Sequence, residues 1–358
     1  MTFKNSVRLF SALCLSKIKS TPYKLNFQVT GACNSRCTTC NIWKVYHDNP
    51  KMVNDELTID EVITTFQKLP DTIAWISLTG GEPFQRKDFG DIINAAIDYV
   101  PRLALITMPT SGLIQDRTLD VVNQLTRREH PDILMTFSID GPEPVHDVMR
   151  GIKGSFKRTW DTYSKVRERV KDDKYFRVGI ESTVSSGNIL SMRPFFQKLL
   201  DEGHYVAVTV AHDAYLYQNE NDKAITPRAH VEEFEKIASL FMKYLPRTRP
   251  VSLIQRQYLR KVPEFLRNPG KMVVPCESLR SSLALGPKGD VTPCLMWGHK
   301  LMNVRDTGFS VNGNWNTKEF ARARDMIAKS QCPVCWTPCE AYQSILSGAL
   351  KGKLLPRQ

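Results

Sequence analysis

Residues 25–40 read Leu-Asn-Phe-Gln-Val-Thr-Gly-Ala-Cys33-Asn-Ser-Arg-Cys37-Thr-Thr-Cys40. An apolar, β-rich run, Leu25–Val29, passes through a glycine straight into three cysteines spaced C-x3-C-x2-C. Outward from this stretch the alternation of short apolar runs and longer amphipathic segments repeats. Strands are expected at Leu25–Val29, Ala74–Leu78, Leu103–Thr107, Ile133–Ile139, Arg177–Thr183 and Tyr205–Val210. Helices are expected at Thr58–Lys68, Phe89–Tyr99, Asp116–Arg128, Phe156–Val170, Ile189–Asp201 and Thr226–Tyr244. Six βα repeats in a row predict a parallel sheet with helices outside it. Six is short of the eight of a closed barrel. The expected fold class is therefore α/β, a partial (β/α)6 TIM-like barrel, with the cysteine loop at the strand ends that face an active site.

The repeat stops at a basic linker bracketed by Pro246 and Pro250. A helix-like stretch (Ser252–Leu266) follows. Next comes a hairpin in which Leu283–Leu285 and Val291–Thr292 flank the turn Gly286-Pro287-Lys288-Gly289-Asp290. Three segments are expected: a basic amphipathic helix over 1–23, the barrel over 24–245, and the linker with a small cysteine-rich domain over 246–358.

The chain of 358 residues is 42% hydrophobic and 24% charged. That excludes a disordered or collagen-like chain and suffices for a buried core without disulfide staples. The net charge of +12 is concentrated in two zones. Lys4, Arg8, Lys17, Lys19 and Lys24 face no acid within residues 1–24. Residues 240–275 hold Lys243, Arg247, Arg249, Arg256, Arg260, Lys261, Arg267 and Lys271 against Glu264 alone. The remainder is neutral, so the chain is not a uniformly basic coat for nucleic acid. The second zone also carries no known nucleic-acid motif, which argues against a zinc-bearing nucleic-acid-binding protein.

No stretch reaches the about 18 apolar residues of a membrane span. Val7–Ile18 is apolar, but Arg8 interrupts it and no small-residue cleavage site follows, which argues against a secretory signal. Val7, Phe10, Leu13 or Cys14, and Ile18 recur at helical spacing. They predict an amphipathic helix that packs on the body or lies at a membrane interface. A cytoplasmic protein is expected, with membrane association through this helix as the variant.

The nine cysteines fall in clusters separated by a cysteine-free stretch from Asn41 to Pro275. An odd number without an export signal reads as metal or cluster ligation rather than disulfides. Cys14 stands apart and is expected in the core. Cys33, Cys37 and Cys40 on one tight loop can hold three irons of a 4Fe–4S cube and leave the fourth open. The alternative is zinc held by the three cysteines and His47.

With these features the chain resembles a radical S-adenosylmethionine (SAM) enzyme. Thr79-Gly80-Gly81-Glu82-Pro83 closes the second strand and is similar to that family's GGE motif. The resemblance implies that Gly80 and Gly81 let backbone approach the methionine part of SAM, that Glu82 accepts from its ammonium group, and that Pro83 completes the turn. Ser138-Ile139-Asp140-Gly141-Pro142, followed by His146-Asp147 and Arg150-Gly151, resembles a stretch of the family branch that modifies peptides. It implies SAM contacts by Ser138, Asp140 and Arg150, the guanidinium suiting a ribose or carboxylate. The competing reading of Arg150 is a surface residue at a helix end. Val178–Thr183 and Asn188 match the region that reads the adenine. Two positions depart from the family pattern. Thr39 stands where an aromatic residue is common, with Trp43 or Tyr46 as substitutes, and Pro109-Thr110-Ser111-Gly112 stands in place of the commoner T-N-G.

Cys276, Gly289 with Cys294, and the run Cys332, Cys335, Cys339 resemble the SPASM/Twitch extension of many such enzymes. The resemblance implies a second 4Fe–4S cluster, with Cys276, Cys294, Cys332 and Cys335 as the first choice of ligands and Cys339 as spare or replacement. Zinc is again the alternative.

The implied activity is reductive cleavage of SAM at the first cluster to a 5′-deoxyadenosyl radical, which abstracts hydrogen from a peptide or protein side chain. The rival substrate is an acidic small molecule, tetrapyrrole, sugar or lipid intermediate. An electron donor such as flavodoxin or ferredoxin is the implied partner. Glu181, His212, Asp213 and Tyr215 near the barrel mouth are candidate proton acceptors.

Overall fold

The computed structural model describes residues 1–350. In chain order the elements begin α1 (Phe3–Lys19), β1 (Lys24–Thr30), α2 (Ile42–Asp48), α3 (Ile59–Gln67), β2 (Trp75–Gly80), α4 (Phe89–Tyr99) and β3 (Leu105–Thr110). There follow α5 (Gln115–Leu125), β4 (Asp132–Ser138), α6 (Glu143–Arg150), α7 (Ser155–Arg169), β5 (Phe176–Val184), α8 (Ile189–Asp201) and β6 (Val206–Val210). The chain then forms α9 (Val231–Tyr244), α10 (Pro250–Arg267), β7 (Ser282–Leu285), β8 (Asp290–Thr292), β9 (Met302–Asn303), α11 (Lys318–Ala328) and α12 (Pro338–Leu350).

All six expected strands form, and each pairs in parallel with the next. The expected hairpin also forms, as antiparallel β7 and β8. Its first strand does more than the sequence pattern suggested, because β7 lies parallel against the free edge of β1. One sheet of nine strands results, in the order β6-β5-β4-β3-β2-β1-β7-β8-β9. An unpaired β1 edge would leave backbone groups open, and the cysteine-rich segment closes it.

Strands β2 and β3 alternate cleanly. Ile76, Leu78, Ile106 and Met108 are buried beneath the helices, whereas Ser77, Thr79, Thr107 and Pro109 are only half-buried on the other, concave face. The outer helices supply the matching stripe, as in α4, where Phe89, Ile92, Ile93 and Ala96 follow one helical face. A capping box starts α3. The Thr58 hydroxyl accepts from the Glu61 N–H, and Glu61 accepts from the Thr58 N–H at 2.9 Å.

The N-terminal helix packs across the starts of the strands. Thr2 donates to Asp132 at the start of β4 at 3.0 Å, while Ala12 and Leu13 rest on Tyr23, Ala74 and Ala104. Leu13 thus faces the barrel, and Cys14 is half-buried rather than in the core as expected.

Candidate active site

The cysteine loop is held from three sides. From α6, the last-turn carbonyls of Met149 and Arg150 accept from the Thr38 and Arg36 N–H groups at 2.9 and 3.0 Å. A helix end leaves such carbonyls without intrahelical partners. Gly151 makes this approach possible. Its φ is +64°, and a Cβ there would stand 2.4 Å from the Arg36 carbonyl oxygen. From β2, the Gly81 and Glu82 N–H groups donate to the Thr30 and Ala32 carbonyls at 2.9 and 2.8 Å. From the segment after β6, Asn219 donates to the Thr39 carbonyl at 2.7 Å, and Asn41 N–H donates to the Tyr217 carbonyl at 2.7 Å.

Cys33, Cys37 and Cys40 are partly exposed on this loop. Burial raises the pKa of all three thiols, while Arg150 pulls those of Cys37 and Cys40 back down. Arg150 is largely withdrawn from the surface, its side chain 14% exposed. Its Nε lies 2.8 Å from Asp140 Oδ2, misaligned for a hydrogen bond, and its Nη1 donates to Cys37 Sγ at 3.5 Å. Burial alone would lower the guanidinium pKa; Asp140 and the neighbouring sulfurs raise it instead. Asp140 also accepts from the Thr183 N–H at 2.8 Å, so the pair is fixed to β5. Three thiols beside a buried guanidinium form a donor set that favours thiolates bound to a cationic group, and they fit an iron–sulfur cube with one iron open. His47 does not join them. It is exposed at the end of α2 and pairs with Asp48. Among the described residues no group of three or more His, Cys, Asp or Glu is gathered around a single-ion position.

Gly80 and Gly81 are required where they stand. A Cβ on either would lie 2.2 Å from a carbonyl oxygen, that of Thr30 or of Ala32. Glu82 is buried and spoken for within the protein. It accepts from Thr110 Oγ1 at 2.8 Å, the Ser111 N–H at 2.6 Å and the Phe84 N–H at 3.2 Å. Pro83 opens the short turn after it. The Thr110-Ser111 departure from the family pattern therefore supports the Glu82 carboxylate. Asn188 is likewise committed, donating to the Asp140 and Thr183 carbonyls at 2.9 and 2.8 Å. Of the two aromatic substitutes, Tyr46 packs over Gly31, whereas Trp43 lies between Arg36 and Lys44.

Ser138, half-buried at the end of β4, sits in register with Glu181 of β5. Glu181 is a carboxylate of the concave face, accepting from Thr136 at 2.8 Å and Thr209 at 3.2 Å. The other expected proton acceptors are placed differently. Both nitrogens of buried His212 are used, one toward the Val210 carbonyl at 2.6 Å and the other accepting from the Trp336 N–H at 3.0 Å. Burial pushes its pKa down to about 4, so it is a neutral structural joint. Tyr215 packs over Gly298, and Asp213 is half-buried beside His212.

A second cluster of thiols lies in the C-terminal part. Cys276, Cys294, Cys332 and Cys335 line one pocket with Met272, Trp297, Ile327 and Trp336. It encloses about 470 Å³ of empty volume, part of it open to solvent. Four thiols and apolar walls fit a fully ligated iron–sulfur cluster. Cys339 does not line this pocket. It packs with Leu216, Tyr217 and Leu295, and Lys24, Glu340 and Glu181 act on its thiol electrostatically. The four that line the pocket are the first-choice ligands of the sequence reading, and the first turn of α12 carries Cys339 elsewhere.

Helix α6 was the main element missed from sequence. Its polar sequence, Glu-Pro-Val-His-Asp-Val-Met-Arg, hides a short helix whose signals are Pro144 near its start and Gly151 just past its end.

Residues 27–184 match the family model described as the Radical SAM superfamily. The chain is 30% identical over 149 residues to the sporulation killing factor maturation protein SkfB of Bacillus subtilis, spanning 41% of this chain and 33% of that protein. It is 22% identical over 283 residues to the antilisterial bacteriocin subtilosin biosynthesis protein AlbA of the same organism, spanning 77% of this chain and 55% of that protein. It is 33% identical over 153 residues to the GTP 3′,8-cyclase of Klebsiella pneumoniae, spanning 39% of this chain and 44% of that protein. The chain thus spans between a third and just over half of these curated relatives. Among solved structures, Streptococcus suis SuiB bound to S-adenosylmethionine superposes with a TM-score of 0.56 at 15% identity, covering 90% of this chain and 70% of that one. Native anSMEcpe with bound AdoMet superposes with a TM-score of 0.58 at 13% identity, covering 94% of this chain and 98% of that one. The two structural likenesses establish the fold, an α/β partial barrel.

Proposed function

We propose that residues 27–184, which match the Radical SAM superfamily model, form a radical SAM domain, and that the protein cleaves SAM reductively and removes hydrogen from a peptide or protein side chain. The observation that carries this reading is the meeting of three structures at one end of the sheet: the Cys33–Cys37–Cys40 loop, the buried Arg150–Asp140 pair and the Gly80–Gly81 backbone. When bound at the three thiols, a 4Fe–4S cluster with SAM supplies one-electron cleavage of the sulfonium and hydrogen abstraction from an unactivated carbon. The chain's own contribution is positional. Arg150 places positive charge beside Cys37, the α6 carbonyls and Asn219 fix the loop, and the glycines keep backbone close to the site. Glu181 is the proton-accepting or substrate-orienting carboxylate of the concave face.

Cys276, Cys294, Cys332 and Cys335 are assigned to a second 4Fe–4S cluster, with a flavodoxin or ferredoxin as electron donor. The peptide reading is supported by the SuiB structure bound to precursor peptide SuiA, and by SkfB and AlbA, named for the maturation of a killing factor and the biosynthesis of a bacteriocin. The likeness to GTP 3′,8-cyclase favours the rival, an acidic small-molecule substrate, but it spans 39% of the chain where the AlbA likeness spans 77%. We place the protein in the cytoplasm, with peripheral membrane contact through α1.

Anaerobically reconstituted protein is expected to hold about eight irons and eight sulfides, two cubes' worth, and to release 5′-deoxyadenosine from SAM. Zinc without iron would overturn the reading. Deuterated candidate peptides should transfer label into 5′-deoxyadenosine. Label arriving only from a nucleotide or other small acid would decide for the rival.

A further inference from the structure

Helix α1 buries one face and exposes most of its large apolar side chains. Asn5, Ala12, Leu13 and Ser16 face the barrel. Phe3, Val7, Phe10 and Ile18 are 86%, 51%, 57% and 80% exposed. Their spacing puts them on one stripe of the helix, with half-buried Cys14 between. A single exposed Phe is ordinary, but an apolar stripe along a whole helix marks an interaction surface.

The charges beside the stripe narrow its occupant. Lys4, Arg8, Lys17 and Lys19 border it, and α1 contains no acidic residue. Lys17 and Lys19 are paired with Glu277 and Asp71 at the rim, while Lys4 and Arg8 form no ion pair among the described residues. The fold brings part of the second basic zone to the same end. Arg249 and Arg177 are close enough to lower the pKa of the Met1 amine, after the larger effect of its burial. The start of α10 adds exposed Val251 and Leu253 beside Arg249. Two zones far apart in sequence thus contribute cations to one face.

We propose that this face docks on an anionic lipid bilayer, with α1 lying in the plane of the interface. Phe3, Val7, Phe10 and Ile18 enter the boundary of headgroups and acyl chains, and Lys4 and Arg8 meet anionic headgroups. No described helix is long and apolar enough to cross a membrane, so the contact is peripheral. The geometry suits it, because α1 covers the starts of the strands while the cysteine loop lies beyond their other ends. Docking leaves the site open toward the aqueous side. This inference is independent of the substrate.

Flotation of the full chain with lipid vesicles tests the proposal. Binding is expected to vesicles of equimolar phosphatidylcholine and phosphatidylglycerol, to be weak to phosphatidylcholine alone, and to fall as salt rises. Phe10→Ser should weaken binding about tenfold, and Lys4→Glu with Arg8→Glu at least about fivefold per residue. Thermal unfolding and SAM binding should remain those of the parent, since all three side chains point outward. Three results would overturn the proposal. These are absence of vesicle binding, equal binding to neutral vesicles, and a stable dimer that Phe10→Ser dissociates, which would show the stripe to be a contact between copies.

Discussion

The two groups of cysteines are built on opposite principles. The first, Cys33–Cys37–Cys40, sits on an irregular loop fixed by backbone hydrogen bonds to α6, β2 and the segment after β6. A guanidinium rather than a fourth thiol stands beside its sulfurs. The second draws Cys276, Cys294, Cys332 and Cys335 from separate segments into a pocket walled by Met272, Trp297, Ile327 and Trp336. An open triad leaves a coordination position to a small molecule, and a closed quartet suits electron transfer. One chain thus keeps its reacting position at the strand ends and gathers the other thiols in a partly open pocket of mostly apolar lining.

The largest expected effect breaks the comparison at its first member. Replacing Cys33, Cys37 and Cys40 together by alanine should abolish release of 5′-deoxyadenosine, while the absorption and paramagnetic signals of the second cluster persist. Cleavage that survives would refute the assigned roles. The reverse substitution, Cys335→Ala, should remove about half of the bound iron, four of about eight, and leave the first cluster's spectrum intact. Loss of both clusters would show the pocket to be a folding requirement of the barrel rather than a separate site. That outcome is physically conceivable, since β7 pairs directly with β1.

The same contrast explains what could be read from the sequence. The six strands and their helices were legible because burial on one face imposes a periodicity, as in Ile76 and Leu78 against Ser77 and Thr79. The triad was legible because its spacing is local. The support of the triad was not. Helix α6 is short and polar, and its backbone hold on the loop lies in two carbonyls, which any residue type carries. The pairing of β7 with β1 is a long-range register with no local mark. His212 looked like a free acid–base group, yet both its nitrogens are occupied by partners distant in sequence or on the main chain. Glu82 has the residue type that its motif requires, but its bonds to Thr110 and Ser111 depend on where β3 ends.

A smaller effect is expected at the guanidinium that separates the two designs. Arg150→Lys keeps a positive charge but cannot reach Asp140 and Cys37 together with one ammonium. Turnover of SAM should fall about 10- to 100-fold, the usual cost of losing a partner to a cluster ligand. Iron content should hold, and the spectrum of the first cluster should shift because the charge beside Cys37 has moved. An unchanged spectrum with lost turnover would place the effect on SAM rather than on the sulfur.

The smallest effect is the most discriminating, because it concerns the cysteine that belongs to neither group by geometry. Cys339 lies four residues beyond Cys335, within one turn of α12, yet it is absent from the pocket that the other four line. Its surroundings are Leu216, Tyr217 and Leu295, and its backbone carbonyl accepts from Lys24 Nζ at 2.9 Å. Cys339→Ser retains size and leaves that carbonyl in place. It should therefore leave iron content, both cluster signals and the unfolding temperature close to those of the parent. Loss of four irons would make Cys339 a ligand and displace one of Cys276, Cys294, Cys332 and Cys335. Retained iron with a changed product would instead mark the thiol as part of the reaction chamber, since Glu181 is close enough to act on it electrostatically.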